Sequence, residues 1–340
     1  MPASSRSLEQ CLTSAWQRRG LLACALWPLS LVFRTLAALR RGLYRSGWRA
    51  SVRLSVPVIV VGNVFIGGTG KTPLVIWLVE QLRNAGHVPG VISRGHGADS
   101  KEVVPVTNLA TVQQVGDEPL LIALRSHCPV VVGRDRVAAG QKLLALHPEV
   151  SVIISDDGLQ HYRLQRTIEI VLFDQRGGGN GWLLPAGPLR EPLSRPRDFT
   201  VFNGTAVPAG FPADTLPMTL AGSDAVALAD GGRRRALTQL DGPILAAAGI
   251  GNPERFFAML RAAGLVIATM PLPDHFDFIV NPFVDVTAGI ILITEKDAVK
   301  CSRIDGLKND PRLWVVPVTA RIDGPLAELI VEKLRGFPTA

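Results

Sequence analysis

The stretch Val56–Thr72, VPVIVVGNVFIGGTGKT, restricts the possible folds of this chain more than any other. Val58–Val61 is an unbroken β-branched run and reads as a buried parallel strand. Gly67, Gly68, Thr69 and Gly70 predict a tight turn whose backbone N–H groups face an anion, and Lys71 and Thr72 open a helix running to about Asn84. Strand, glycine turn and helix surround a phosphate with free N–H groups and the positive end of a helix. Lys71 adds a charge near the transferred phosphate, and the Thr72 hydroxyl can reach Mg²⁺. The general pattern G-x-x-x-x-G-K-[ST] asks for glycine at 65, where this chain has Phe65. A plain glycine loop is the bland alternative, but the apolar helix positions Leu74, Val75, Leu78, Val79 and Leu82 favour a nucleotide loop. The expected fold is therefore α/β and P-loop NTPase-like, a mostly parallel sheet with flanking helices.

The net charge of +7 is unevenly spread along the 340 residues. Residues 1–55 hold nine arginines against one acid, Glu9, whereas the remaining 285 hold 27 basic and 28 acidic groups. A nucleic-acid enzyme more often carries its positive charge on the catalytic body, so no nucleic-acid partner is expected. Basicity confined to a leader points instead to anionic lipid headgroups. Within that leader Gly20–Leu39 has only Arg34 as a charge, and twenty helical residues rise about 30 Å, roughly one bilayer core. Its second half is amphipathic, with Arg34, Arg41 and Arg45 on one helical face and Val32, Leu36, Leu39 and Leu43 opposite. We expect a membrane-associated helix at about 20–44; a soluble helix packed on the body is the alternative. If it spans, the six arginines between 34 and 53 place the body on the cytoplasmic side. Four cysteines at 11, 24, 128 and 301 make no metal or CxxC spacing and suit a reducing compartment.

The rest of the chain reads as alternating strands and helices. Strands are expected at Val88–Ser93, Pro129–Val132, Val150–Ile154, Ile168–Phe173, Ile244–Ala248, Ile290–Ile293 and Leu313–Val318, with no repeat. Asp156 and Asp157 follow the third of these strands directly, where a phosphate-loop enzyme positions Mg²⁺ or its water shell. From the residues alone, Asp117 or Glu118 reads most simply as the cap of a short helix, Leu120–Arg125. The glycine-rich Gly177–Gly187 and the following GPLRE suggest an ordered rim, with Arg190 and Arg195 as candidates for an anionic substrate. Asn252 and Pro253 mark a helix start. Domain organisation is expected as a leader (1–55), a nucleotide core with substrate rim (56–225) and a smaller C-terminal α/β part (240–340).

Taken together, GNVFIGGTGKTP (62–73), SRGHG (93–97), VGDEP (115–119), GRDR (133–136), DDGLQH (156–161), PAGPLREP (185–192), GIGNPERFF (249–257), PDHFDF (273–278) and TEKDAVK (294–300) closely resemble the tetraacyldisaccharide 4'-kinase family. The resemblance runs in order over essentially the whole chain, and the family's own loop, GNxxxGGxGKTP, accounts for Phe65. It implies transfer of the ATP γ-phosphate to the 4'-hydroxyl of tetraacyldisaccharide 1-phosphate at the bacterial inner membrane. It also implies an aspartate–histidine dyad that activates the hydroxyl: by motif, Asp117 and His275. Lys71 and Thr72 match the phosphate-loop pair, Asp156 and Asp157 the Mg²⁺-side acids, and Arg190 an arginine near the substrate. The implied cofactors are ATP and Mg²⁺. Two positions depart from the family pattern: His96, usually tyrosine, and Ser155, commonly without a hydroxyl. From the residues alone, a GTPase-like switch, another small-molecule kinase or a non-catalytic nucleotide-binding adaptor would also fit. The Thr294–Asp297 stretch, TEKD, is only a near-match to a guanine-reading N-K-x-D.

Overall fold

Residues 16–97 and 102–337 are described here from a computed structural model; Glu9 and Cys11 of the leader lie outside them. The chain divides into two compact units, each assembled from separated stretches.

The first unit comprises, within the described residues, 16–71, 151–218 and 322–337. Its centre is the strand Val58–Gly62, every residue of which is buried. It pairs in parallel with Val152–Asp156 on one side and Ile168–Asp174 on the other. The sheet continues in parallel through Phe199–Asn203 to Leu216–Ala221. A strand covered on both faces needs no polar alternation, which is why Val58–Val61 is uniformly apolar. Register then does the functional placing: Gly62, Asp156, Asp174 and Asn203 all fall at the carboxyl ends of neighbouring strands, with Val61 opposite Asp156 and Asp174 opposite Asn203. Ligands of open parallel sheets bind at that edge.

The leader helix, Leu21–Arg45, belongs to this unit and is long and apolar enough to cross a membrane by length and composition. It touches the body through one narrow seam. Ala23 and Ser30 are buried there, the Ser30 hydroxyl donates to the Leu183 carbonyl, Trp27 lies 6.3 Å from Trp182, and Arg41 is 3.8 Å from Glu191. Leu29, Val32, Leu36 and Leu39 are exposed, so most of its apolar surface has no protein partner among the described residues.

In the second unit, residues 72–97, 102–150 and 219–321, the larger element is a six-stranded sheet. Its order is Arg234–Ala236, Asp224–Ala227, Leu313–Val316, Ile290–Thr294, Ile244–Ala248, Ile267–Pro271, with the last four strands parallel and the first two antiparallel. Alternate residues feed two cores. Ala246, Ala248 and Leu292 meet Phe256, Phe257 and Leu260 on one face; Leu245, Ala247, Ile291 and Ile293 meet Phe278 and Phe283 on the other. A separate group pairs Pro89–Ser93 in parallel with Val130–Val132, and the short strand Val104–Pro105 antiparallel to it.

Most expected elements fall within two residues of their observed bounds, and the helix Pro253–Ala262 begins where Asn252–Pro253 indicated. Asn252 occupies the cap position without a side-chain cap hydrogen bond. Residues 200–240, which composition presents as a boundary rich in glycine, alanine, aspartate and threonine, instead carry most of the strand Phe199–Asn203 and three further strands, Leu216–Ala221, Asp224–Ala227 and Arg234–Ala236. Their register is set by partners distant in sequence, which no local pattern shows.

Leu260 is fully buried among Phe256 and Phe257, whereas Val266 is 91% exposed. Leu260→Ala is expected to cost about 2–5 kcal/mol in a denaturant titration, and Val266→Ala close to nothing.

Candidate active site

The phosphate loop is built around Asn63. Its side chain is completely buried (0% exposed), and its amide N–H groups donate to the Phe65 carbonyl at 2.6 Å and the Gly67 carbonyl at 3.1 Å. Its oxygen accepts from Lys71 Nζ at 3.0 Å and from the Arg190 guanidinium. One carboxamide thereby holds the loop backbone together with two cations, Lys71 and Arg190. Gly67 and Gly70 have positive φ (+92° and +100°). A side chain at Gly70 would also collide with Asn203, whose amide donates to the Thr69 carbonyl at 2.8 Å. From the neighbouring strand end, Arg176 donates to the Gly68 carbonyl at 2.8 Å, is held by Asp174, and stacks 4.4 Å over the Phe65 ring. Phe65 thus has a local role: it is the platform for the arginine that braces the loop.

Asp156 is buried at the end of its strand, and Asp157 follows with a left-handed backbone (φ +47°). Arg190 grips Asp157 with two hydrogen bonds of 2.9 Å, and Lys71 Nζ lies 3.7 Å from the same carboxylate. The sequence-derived residues Lys71, Asp157 and Arg190 are therefore brought together in one unit. Thr72 occupies the first turn of the helix Lys71–Asn84. Arg195 is not available as expected: it is buried in ion pairs with Glu169 and Glu191. Ser155, one of the two departures, is buried with its hydroxyl unpartnered among the described residues.

In the second unit, Asp117 is the first residue of the helix Asp117–Ser126; the cap position is Gly116 without a side-chain cap bond, and Asp117 Oδ1 accepts only the adjacent Glu118 N–H at 2.9 Å, so the expected capping role is not made. Its Oδ2 does something else: it lies 2.9 Å from His275 Nδ1, a residue 158 positions away. Asp117 is buried, its side chain 3% exposed, while that of His275 is 35% exposed. Burial opposes the Asp117 charge, but the His275 hydrogen bond and the ammonium groups of Lys296 and Lys300 outweigh it and hold the carboxyl well below the usual range. In turn the Asp117 hydrogen bond raises His275 above the ordinary histidine value, against burial and Lys296. A carboxylate is acceptor-only, so the proton between them sits on Nδ1, and in the neutral imidazole Nε2 keeps the lone pair. Gly116 (φ +86°) permits this entry, since a side chain there would come within 2.7 Å of the His96 carbonyl. The His96 ring lies 5.5 Å from that of His275.

Asn63, Asn203 and Arg176 were not singled out from the sequence. For Asn63 the signal was present, since it stands inside the GNxxxGGxGKTP pattern; Asn203 and Arg176 become visible only through strand register.

A loop of the first kind handles nucleotide phosphates, and a buried carboxylate–imidazole pair handles a proton. Those two chemistries place the protein among the P-loop phosphotransferases. The profile of the tetraacyldisaccharide-1-P 4'-kinase family matches residues 22–335. The chain is 62% identical to the tetraacyldisaccharide 4'-kinase of Janthinobacterium sp. (strain Marseille), covering 99% of each, and 61% identical to that of Herminiimonas arsenicoxydans, covering 98% of each. The crystal structure of LpxK from Aquifex aeolicus in complex with ATP is 29% identical, with a TM-score of 0.77 over 92% of this chain and 100% of that one. The chain belongs to the tetraacyldisaccharide-1-P 4'-kinase family: it is an ATP-dependent 4'-kinase of lipid A biosynthesis.

Asn63→Ala removes an acceptor shared by two cations and two donors to the loop. Calorimetric titration should show ATP affinity reduced about tenfold or more, since hydrogen bonds to charged groups are each worth about 1.5–3 kcal/mol.

Proposed function

We propose that Asp117 and His275 activate the 4'-hydroxyl of a tetraacyldisaccharide 1-phosphate for attack on the ATP γ-phosphate. The observation that carries this reading is the 2.9 Å hydrogen bond between His275 Nδ1 and a buried Asp117. In the step itself the hydroxyl oxygen forms a bond to the γ-phosphorus as the bridging bond to the β-phosphate breaks, and ADP leaves with that electron pair. The hydroxyl proton passes to His275 Nε2, and Asp117 stabilises the imidazolium that results. Lys71, with the loop N–H groups of Gly67, Gly68, Thr69 and Gly70, holds the phosphates and offsets charge on the leaving side. The C-terminal part, 240–340, contributes His275 to this chemistry.

The oxygen-only donors Thr72, Asp156 and Asp157 fit a hard divalent cation, and we assign them to Mg²⁺. When bound, the ion would neutralise charge on the phosphoryl oxygens. Arg190, whose fork holds Asp157 while its side chain stays 22% exposed, is the proposed substrate contact, its charge suiting a phosphate.

We further infer that the leader helix attaches the enzyme to the inner membrane, with the body on the cytoplasmic face. Support comes from the exposed Leu29, Val32, Leu36 and Leu39 and from the arginines clustered between 34 and 53.

With ATP, Mg²⁺ and the lipid presented in mixed micelles, thin-layer chromatography should show a 4'-phosphorylated product. Asp117→Asn and His275→Ala should each lower kcat by about 10²–10⁴-fold with ATP affinity retained; parallel loss of ATP binding would refute the proposed roles. Because a base must be deprotonated and His275 is shifted upward, kcat/KM should fall on the acid side with a midpoint above about 6.5. Changing Leu29, Val32, Leu36 and Leu39 together to serine should abolish co-sedimentation with anionic liposomes while the thermal midpoint stays put.

A further inference from the structure

TEKDAVK (294–300) is a quoted motif that the reaction as described leaves unused. Its local chemistry explains three of its residues. The Thr294 hydroxyl caps the helix Glu295–Cys301 by accepting the Asp297 N–H. Asp297 is buried and accepts the Gly249 N–H at 3.0 Å and the Thr294 hydroxyl at 2.7 Å. Glu295 accepts from the Arg125 guanidinium and from the Val318 N–H at 3.0 Å. Val299 packs with Val115, Leu120 and Leu121, which pins this short helix against the one that Asp117 opens.

Lys296 and Lys300 remain, one turn apart and therefore on the same helical face. Both ammonium groups converge on Asp117 Oδ2, at 3.8 Å and 3.3 Å. Lys300 is buried, its ammonium makes no hydrogen bond, and Asp117 is its one ion-pair partner among the described residues. A lysine buried without a hydrogen bond is costly to retain as a structural filler. Lys296 reaches further: its ammonium is 3.2 Å from Glu118 Oε1, 3.6 Å from Asp274 Oδ1 and 3.5 Å from His275 Nε2. It is the cation that contacts both members of the pair.

We propose that Lys296 and Lys300 are positioning residues for the Asp117–His275 pair: a two-ammonium clamp that holds Asp117 as a carboxylate and fixes Nε2 as the nitrogen that picks up the proton. The proposal rests on the dyad reading above and adds who sets its protonation state. Without the clamp, a carboxylate this buried would tend toward its neutral acid and lose its hold on the Nδ1 proton. Lys296 also opposes premature protonation of His275, because an imidazolium would face its ammonium at 3.5 Å. The charged and titratable groups around the pair are Glu118, Asp274, His96, Lys296 and Lys300. Of these, the two lysines favour the Asp117 charge, and Lys296 disfavours that of His275.

The test uses the full-length enzyme and the histidine ring signals in NMR, of which there are six, assigned with His275→Gln. Removing a partly buried charge within 4 Å should move a titration by about one pH unit. Lys296→Met is therefore expected to raise the His275 midpoint by about that much. The acid limb of kcat/KM should follow it, KM for ATP should be unchanged, and Lys296→Arg should restore the wild-type profile. The ammonium of Lys300 contacts Asp117 and not the His275 ring, so the Lys296 series carries the test. An unmoved His275 midpoint in folded Lys296→Met would overturn the clamp. If the midpoint moves and the acid limb does not follow, the clamp stands and the dyad's catalytic role falls, so the two failures are separable.

Discussion

The buried carboxamide of Asn63 is the contact on which the nucleotide end of this enzyme depends. Its two donors secure backbone carbonyls in the glycine loop, and its acceptor takes Lys71 and Arg190. A buried amide is tolerable only when each of its groups is satisfied. Here satisfying it requires the loop, Lys71 and Arg190 to be in place together. Asp117 answers the same constraint in the second unit with a full charge. Its burial is supported by an imidazole N–H, a backbone N–H and two ammonium groups. In both cases one desolvated polar group organises several functional side chains. Each is worth more as a constraint on geometry than as a contribution to stability.

Much of the fold was legible because the elements are strongly marked. The apolar runs at Val58, Ile168, Ile244 and Ile290 lie in strands covered on both faces, and such strands carry a signal that does not depend on partners. The region 200–240 was opaque for the opposite reason. Leu216–Ala221 and Asp224–Ala227 mix buried and half-buried positions, and Arg234–Ala236 is largely exposed. Short partly covered strands owe their existence to the neighbours they pair with, as Asp224–Ala227 does to Leu313–Val316.

For the site, local spacing identified the loop and the paired acids but could not choose between roles for Asp117. As the first acid of a helix it suits the positive helix end, although Gly116 holds the cap position and Oδ1 accepts only the neighbouring Glu118 N–H. The motif resemblance, not the spacing, pointed to His275, and the 2.9 Å contact lies on the second oxygen. A carboxylate has two oxygens, so one can take a backbone N–H at a helix start while the other meets an imidazole. Arg195 shows the converse error. Its place in a basic rim suggested ligand binding, yet Glu169 and Glu191 occupy it inside the fold.

Asp157 and His275 have one further property in common: both are non-glycine residues with a left-handed backbone, at φ +47° and +59°. Such a conformation costs about 1–3 kcal/mol and persists only where the surroundings over-determine it. For Asp157 the fork of Arg190 supplies that constraint. For His275 it comes from the backbone N–H, which donates to the Gly249 carbonyl and to Asp274 Oδ1, together with the ring's bond to Asp117. The adjacent glycines then acquire a reason. A side chain at Gly158 would strike the Ser155 hydroxyl, and one at Gly249 would come within 2.8 Å of Asp297 Oδ1 and 3.3 Å of the Pro273 carbonyl. Neither Gly158 nor Gly249 has positive φ, so these glycines do not serve the turn's own conformation. They serve its packing: each lets the chain come close enough for a strained neighbour to be held by several bonds at once.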